Sequence, residues 1–100
     1  MKPGVTPKKF HNIILIDDLD DYSVLFNSST AETMGLNSTG HLVWELIDGK
    51  RTTDDIFDLI SSEFSIPVDT AKEDVADLIG RLYRRMFVTF IEELDGQHFP

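Results

Sequence analysis

The stretch Leu36–Gly49, LNSTGHLVWELIDG, decides the fold: it holds the end of a strand, a helix start, an amphipathic helix and a hard stop. Asn37 or Ser38 can offer a side-chain oxygen to the first free N–H groups of a helix, and Asp48-Gly49 is a turn dipeptide that ends it. Between them Leu42, Val43, Leu46 and Ile47 recur at helical spacing, with Trp44 just off the stripe, placed to plug the gap to a neighbouring layer. His41, with no partner at ligand spacing, reads as solvent-facing. Residues before this stretch read as strands and residues after it as helices.

Working back towards the N-terminus, Ala31–Leu36 (AETMGL) and Tyr22–Asn27 (YSVLFN) form a hairpin across the polar turn Ser28-Ser29-Thr30. Gly35 weakens the second arm, which suits a sheet edge with a bulge. Asn12–Ile16 (NIILI) is a further short strand, and Asp17, Asp18, Asp20 and Asp21 follow it as an acidic loop. That loop lacks the glycine and distal glutamate of an EF-hand, so it reads as solvated rather than as a metal site. Residues 1–9, with Pro3, Gly4, Pro7 and three lysines, suit a mobile or loosely docked tail.

Working forward, Thr52 or Thr53 caps a second helix that ends near Phe64 and places Asp54 and Asp55 in its first turn. Ile56, Phe57, Leu59, Ile60 and Phe64 supply its buried side. Ser65-Ile66-Pro67 breaks it, and a third helix opens at Val68-Asp69-Thr70 and runs to about Arg85. There Ala71, Val75, Leu78, Leu82 and Met86 form an apolar stripe. Its polar side is acidic early (Glu73, Asp74, Asp77) and basic late (Arg81, Arg84, Arg85), an order that suits the helix dipole. Phe87–Ile91 reads as a terminal strand and residues 92–100 as an acidic tail. The outline is one α+β domain over residues 10–91, winged helix-turn-helix-like, with a small antiparallel sheet of about three strands followed by three helices.

Composition narrows the function. The chain has 100 residues, 41% of them apolar, and a formal net charge of −9 from nine Lys and Arg against eighteen Asp and Glu. That balance disfavours nucleic acid. There is no cysteine, and therefore no disulfide, thiol nucleophile or cysteine zinc site. Neither a signal-peptide core nor an apolar run of bilayer length occurs, so a soluble, cytoplasmic protein away from membranes is expected. His11, His41 and His98 lie far apart, and no nucleophile elbow, phosphate loop or dinucleotide fingerprint is present, so no enzyme, metal or cofactor is expected.

Three binding readings remain. A winged-helix DNA-binding regulator would use the third helix for recognition, but the half that should meet bases carries Glu73, Asp74 and Asp77. A peptide-binding module would use the exposed edge of Ala31–Leu36 to accept an extended peptide, with the third helix as the groove wall and Leu78, Ile79 and Tyr83 beside its buried stripe. A homodimer paired through the same edge strand is the third.

The opening stretch also carries a resemblance. Leu36-Asn37, Thr39-Gly40, Val43-Trp44, Asp48-Gly49 and Thr52, followed by Asp74-Val75, Leu78-Ile79 and Leu82, resemble the pattern of the coenzyme PQQ synthesis protein D family over about Tyr22 to Val88. The resemblance implies a non-catalytic recognition element for ribosomally made, post-translationally modified peptides. Such a domain binds the leader segment of a precursor as an added strand between a strand and the last helix. It then presents the precursor to a modifying enzyme, such as a radical S-adenosylmethionine protein, or to a leader peptidase or cyclase. Carried onto this chain, the site residues are Ala31, Glu32, Thr33, Met34, Gly35 and Leu36 of the strand, and Val75, Leu78, Ile79, Arg81, Leu82 and Tyr83 of the helix. Arg81 and Arg84 would meet acidic leader residues. One departure is Met86, which stands where the family often has a glycine at the end of the last helix.

Overall fold

The computed structural model describes residues 5–17 and 22–91. The chain order is β1 (Thr6–Lys9), β2 (Ile13–Asp17), β3 (Ser23–Asn27), β4 (Thr33–Leu36), α1 (Ser38–Leu46), α2 (Thr53–Phe64), α3 (Val68–Arg84) and β5 (Val88–Ile91). The architecture is α+β, with β2-β3-β4 forming an antiparallel three-stranded meander against which the three helices pack. The acidic run Asp18 to Asp21 and the tail 92–100 lie outside the described residues.

The termini differ from the sequence expectation. Thr6–Lys9, assigned to a loose tail, is a strand paired antiparallel with β5, from Thr6 opposite Ile91 to Lys9 opposite Val88. Pro7 fits because a two-stranded ribbon has an unpaired edge on each strand, where a missing N–H costs nothing. Lys9 then lays its ammonium 4.7 Å from the centroid of the Trp44 ring, which is buried, and so β1 is fastened onto α1. Burial against this ring lowers the Lys9 pKa, while the carboxylates of Glu45 and Asp48 act the other way.

Local signals set the helix ends. Asn37 caps α1 by accepting from the Gly40 N–H at 2.8 Å. Thr52 and Asp55 form a reciprocal capping box on α2, at 3.1 and 3.0 Å. Between these helices Gly49 takes a φ of 79°, and Asp48 accepts from the Lys50 and Arg51 N–H groups at 2.9 and 2.8 Å. These bonds, Arg51 first, lower the Asp48 pKa, and the Arg51 charge acts in the same direction.

The core joins Leu25, Met34 and Leu36 of the sheet to Val43 and Trp44 of α1 and Ile47 just after it, Ile56, Phe57 and Ile60 of α2, and Ala71, Val75, Ile79 and Leu82 of α3. Two stripes therefore shift from the sequence reading. On α2, Leu59 and Phe64 are largely exposed. On α3, Ile79 rather than Leu78 occupies the buried centre, and Met86 is 55% exposed. The buried stripe takes successive steps of four, Ala71, Val75 and Ile79, before Leu82, so Leu78 falls on the flank of the helix.

Met86 replaces the expected glycine without lengthening the helix. Its N–H donates to the Tyr83 carbonyl at 3.1 Å and the Phe87 N–H to that of Leu82 at 2.8 Å, the bond pair of a Schellman stop. Met86 itself takes a φ of 68°, the left-handed conformation that glycine would adopt at less cost. The stop turns the chain so that Phe87 and Val88 enter the core.

Candidate peptide-binding edge and groove

β4 is the edge of the meander, and its pairing with β3 settles which of its backbone groups are free. Asn27 donates to the Glu32 carbonyl at 2.9 Å, and the register runs from Phe26 opposite Thr33 to Ser23 opposite Leu36. Antiparallel pairing alternates, so Met34 and Leu36 turn their N–H and C=O towards β3, as Glu32 does its C=O, and Thr33 and Gly35 turn theirs outward. The same alternation buries the side chains of Met34 and Leu36 and leaves Thr33 and Gly35 on the opposite face. At Gly35 that face is closed by Tyr22, whose ring a Cβ would overlap. This close approach is why a glycine occupies a strand.

Beyond the edge stands α3. Arg85, just after its last turn, reaches back to donate to Glu32 Oε1 at 2.8 Å and to the Thr33 carbonyl at 3.1 Å. One arginine side chain thus spans from the helix to the strand edge. The Thr33 N–H and both backbone groups of Gly35 have no partner among the described residues. A groove of about 470 Å³ opens beside them, bounded by Gly35, Leu36, Asn37, Thr39 and Gly40 on one side and by Asp74, Asp77, Leu78 and Arg81 of α3 on the other.

The structure brings together only part of the residue set anticipated from sequence. Thr33 and Gly35 present the edge, Leu36 lies at its end, and Leu78 and Arg81 face the groove. Met34, Val75, Ile79 and Leu82 are core residues, with exposures of 6% or less. Ala31 sits in the β3–β4 turn with a φ of 65°, and Glu32 is held by Arg85. Tyr83 faces away and packs on Phe90, ring centroids 5.0 Å apart. Arg84 does not line the groove. Asp74, Asp77 and Arg85 were missed. Helical spacing could have found the first two, since 74, 77, 78 and 81 fall on one face.

His41 is half-buried rather than solvent-facing. Its Nδ1 lies 2.7 Å from Ser23 Oγ and 3.4 Å from Asp17 Oδ1, and its Nε2 lies 3.0 Å from Glu45 Oε2. Serine, histidine and carboxylate are in contact, but Ser23 is 1% exposed inside the sheet, where no substrate carbonyl can reach its hydroxyl. The cluster ties the start of β3 to α1. No described helix is long and apolar enough to cross a membrane.

Comparisons with known proteins agree with this architecture. A search of curated proteins finds no match. Two solved structures share the fold: TbiB1 in complex with the TbiA(beta) leader peptide, at a TM-score of 0.73 and 23% identity over 86% of this chain and 99% of that one, and a lasso peptide synthetase B1 complexed with the leader peptide, at 0.70 and 20% over 83% and 96%. At this identity the likeness establishes the fold. Sequence establishes more: residues 22–88 match the profile of coenzyme PQQ synthesis protein D, and the chain belongs to that family.

Proposed function

We propose that this protein binds the leader segment of a ribosomally made precursor peptide as an added strand on β4 and presents it to a modifying enzyme, without catalysis of its own. The observation that carries the reading is the outward, unpaired Thr33 N–H together with the N–H and C=O of Gly35, facing a groove walled by α3. Main-chain hydrogen bonds along such an edge give affinity for any extended peptide, and the groove side chains then select among sequences. Two structures of the same fold are complexes with leader peptides, which supports the reading. The family resemblance points to a radical S-adenosylmethionine protein, a leader peptidase or a cyclase as the class of partner enzyme.

Titration of the cognate leader peptide against Thr33→Pro tests the mode. The substitution removes an outward N–H at an exposed edge position, where proline is tolerated. Binding at least about tenfold weaker, equivalent to one lost interaction of roughly 1.4 kcal/mol, is expected with folding retained. Unchanged affinity would rule out strand addition at β4. Sizing the free protein with and without the leader separates this reading from pairing of two copies through the same edge.

A further inference from the structure

We propose that the α3 wall reads the charge polarity of the bound peptide: a Lys or Arg opposite Asp74, an apolar residue over Leu78, and an Asp or Glu towards Arg81, at positions i, i+2 and i+4. The proposal rests on strand addition at β4 and deepens it.

Two contacts fix how α3 runs along the edge. Arg85 touches Glu32 and Thr33 at the N-terminal end of β4, whereas the groove lined by the earlier part of α3, from Asp74 to Arg81, runs from Gly35 past the C-terminal end of β4 to Asn37, Thr39 and Gly40. The helix therefore runs antiparallel to β4, and its groove face reads Asp74, Asp77, Leu78, Arg81 along that course. Arg81 holds Asp77 at 3.3 Å, and Asp74 forms no ion pair among the described residues. The wall is therefore anionic where β4 ends, whereas where β4 begins it carries Arg81 and Arg85, each balanced by one carboxylate (Asp77 and Glu32) with guanidinium N–H groups left to donate.

Spacing converts this gradient into a sequence preference. Asp74 and Arg81 are separated by about 10.5 Å along the helix axis, at about 1.5 Å per residue. A strand advances about 3.3 Å per residue and shows every second side chain to the same wall. Residues i and i+4, about 13 Å apart, therefore fall opposite Asp74 and between Arg81 and Arg85, with i+2 near Leu78. The meander is antiparallel throughout, and a new strand on β4 continuing that pattern runs from the Asp74 end towards the Arg85 end. The cation is then N-terminal to the acid.

The test is selection of random twelve-residue peptides on the full chain, followed by affinity measurements of the enriched peptides on Asp74→Arg and Glu73→Arg. Glu73 is exposed on the same helix but does not line the groove, so its reversal changes the net charge equally and the site not at all. Enrichment of a basic residue four positions before an acidic one is expected. Such peptides should bind D74R about three- to tenfold more weakly and E73R within about twofold, the scale of an exposed ion pair and its reversal. Both positions are exposed, and thermal unfolding of the two variants confirms that each is folded. Peptides that bind at β4, as shown by loss on Thr33→Pro, but carry no charge pattern would overturn this proposal and leave strand addition standing. Equal losses on D74R and E73R would also overturn it. A selection that yields no binders would overturn strand addition itself.

Discussion

Asn27 Nδ2 donates to the carbonyl of Met86 at 2.9 Å, so the last residue of β3 is bonded to the residue that turns the chain out of α3. The same amide accepts from Asn12 Nδ2 at 2.7 Å and from the Ser29 and Thr30 N–H groups at 2.9 and 3.2 Å. Asn27 is 2% exposed. One buried side chain therefore sets both the β3–β4 turn and the distance from the sheet to the end of the helix that walls the groove. Asn27→Ala strands these partners, and a loss of about 3 kcal/mol is expected in chemical denaturation, within the range for a broken buried hydrogen-bond network. A loss below about 1 kcal/mol would mean that solvent replaces these bonds.

Met86 makes the opposite case. It holds φ 68° while its side chain is largely exposed, so glycine would relieve the backbone at little cost in packing. Met86→Gly should stabilise the protein by about 1 kcal/mol. In calorimetry this appears as a Tm higher by about 4–8 °C for a domain of this size.

Acid should act through the turn between α1 and α2. The Asp48 pKa is lowered by the Arg51 and Lys50 N–H groups, and its ordinary value is 3.8. Its folded value lies below its unfolded one, so its contribution is fully present above 3.8 and is lost as the pH falls through the lower folded value. Asp48→Asn keeps an acceptor oxygen but does not titrate. The stability gap between wild type and this variant should be widest near neutrality and close on acidification below 3.8. A gap independent of pH would remove the carboxylate from the acid response.

Legibility in the sequence followed the range of the interaction. The caps at Asn37 and Thr52, the Asp48-Gly49 stop and the β3–β4 hairpin are local, and each is visible in a few consecutive residues. β1 was not, because Thr6–Lys9 becomes a strand only by pairing with residues 88–91, and its composition alone reads as a tail. The candidate site divides in the same way. The exposed edge at Thr33–Leu36 could be read from the hairpin and the glycine, but which helix residues wall it depends on the rotation of α3. Ile79, which takes the buried centre of α3, turns Leu78, Asp74 and Arg81 towards the groove and Tyr83 onto Phe90. His41 could not be placed without knowing that Ser23 lies beside it.

Amide hydrogen exchange at Thr33 and Gly35, with and without saturating leader peptide, tests strand addition most directly. Both N–H groups point to the unpaired edge, whereas those of Met34 and Leu36 are already bonded to β3. Exchange at Thr33 and Gly35 should slow markedly, by about tenfold or more, as the new ladder forms, with little change at Met34 and Leu36. A bound peptide that leaves Thr33 and Gly35 exchanging at their free rates would contradict the account.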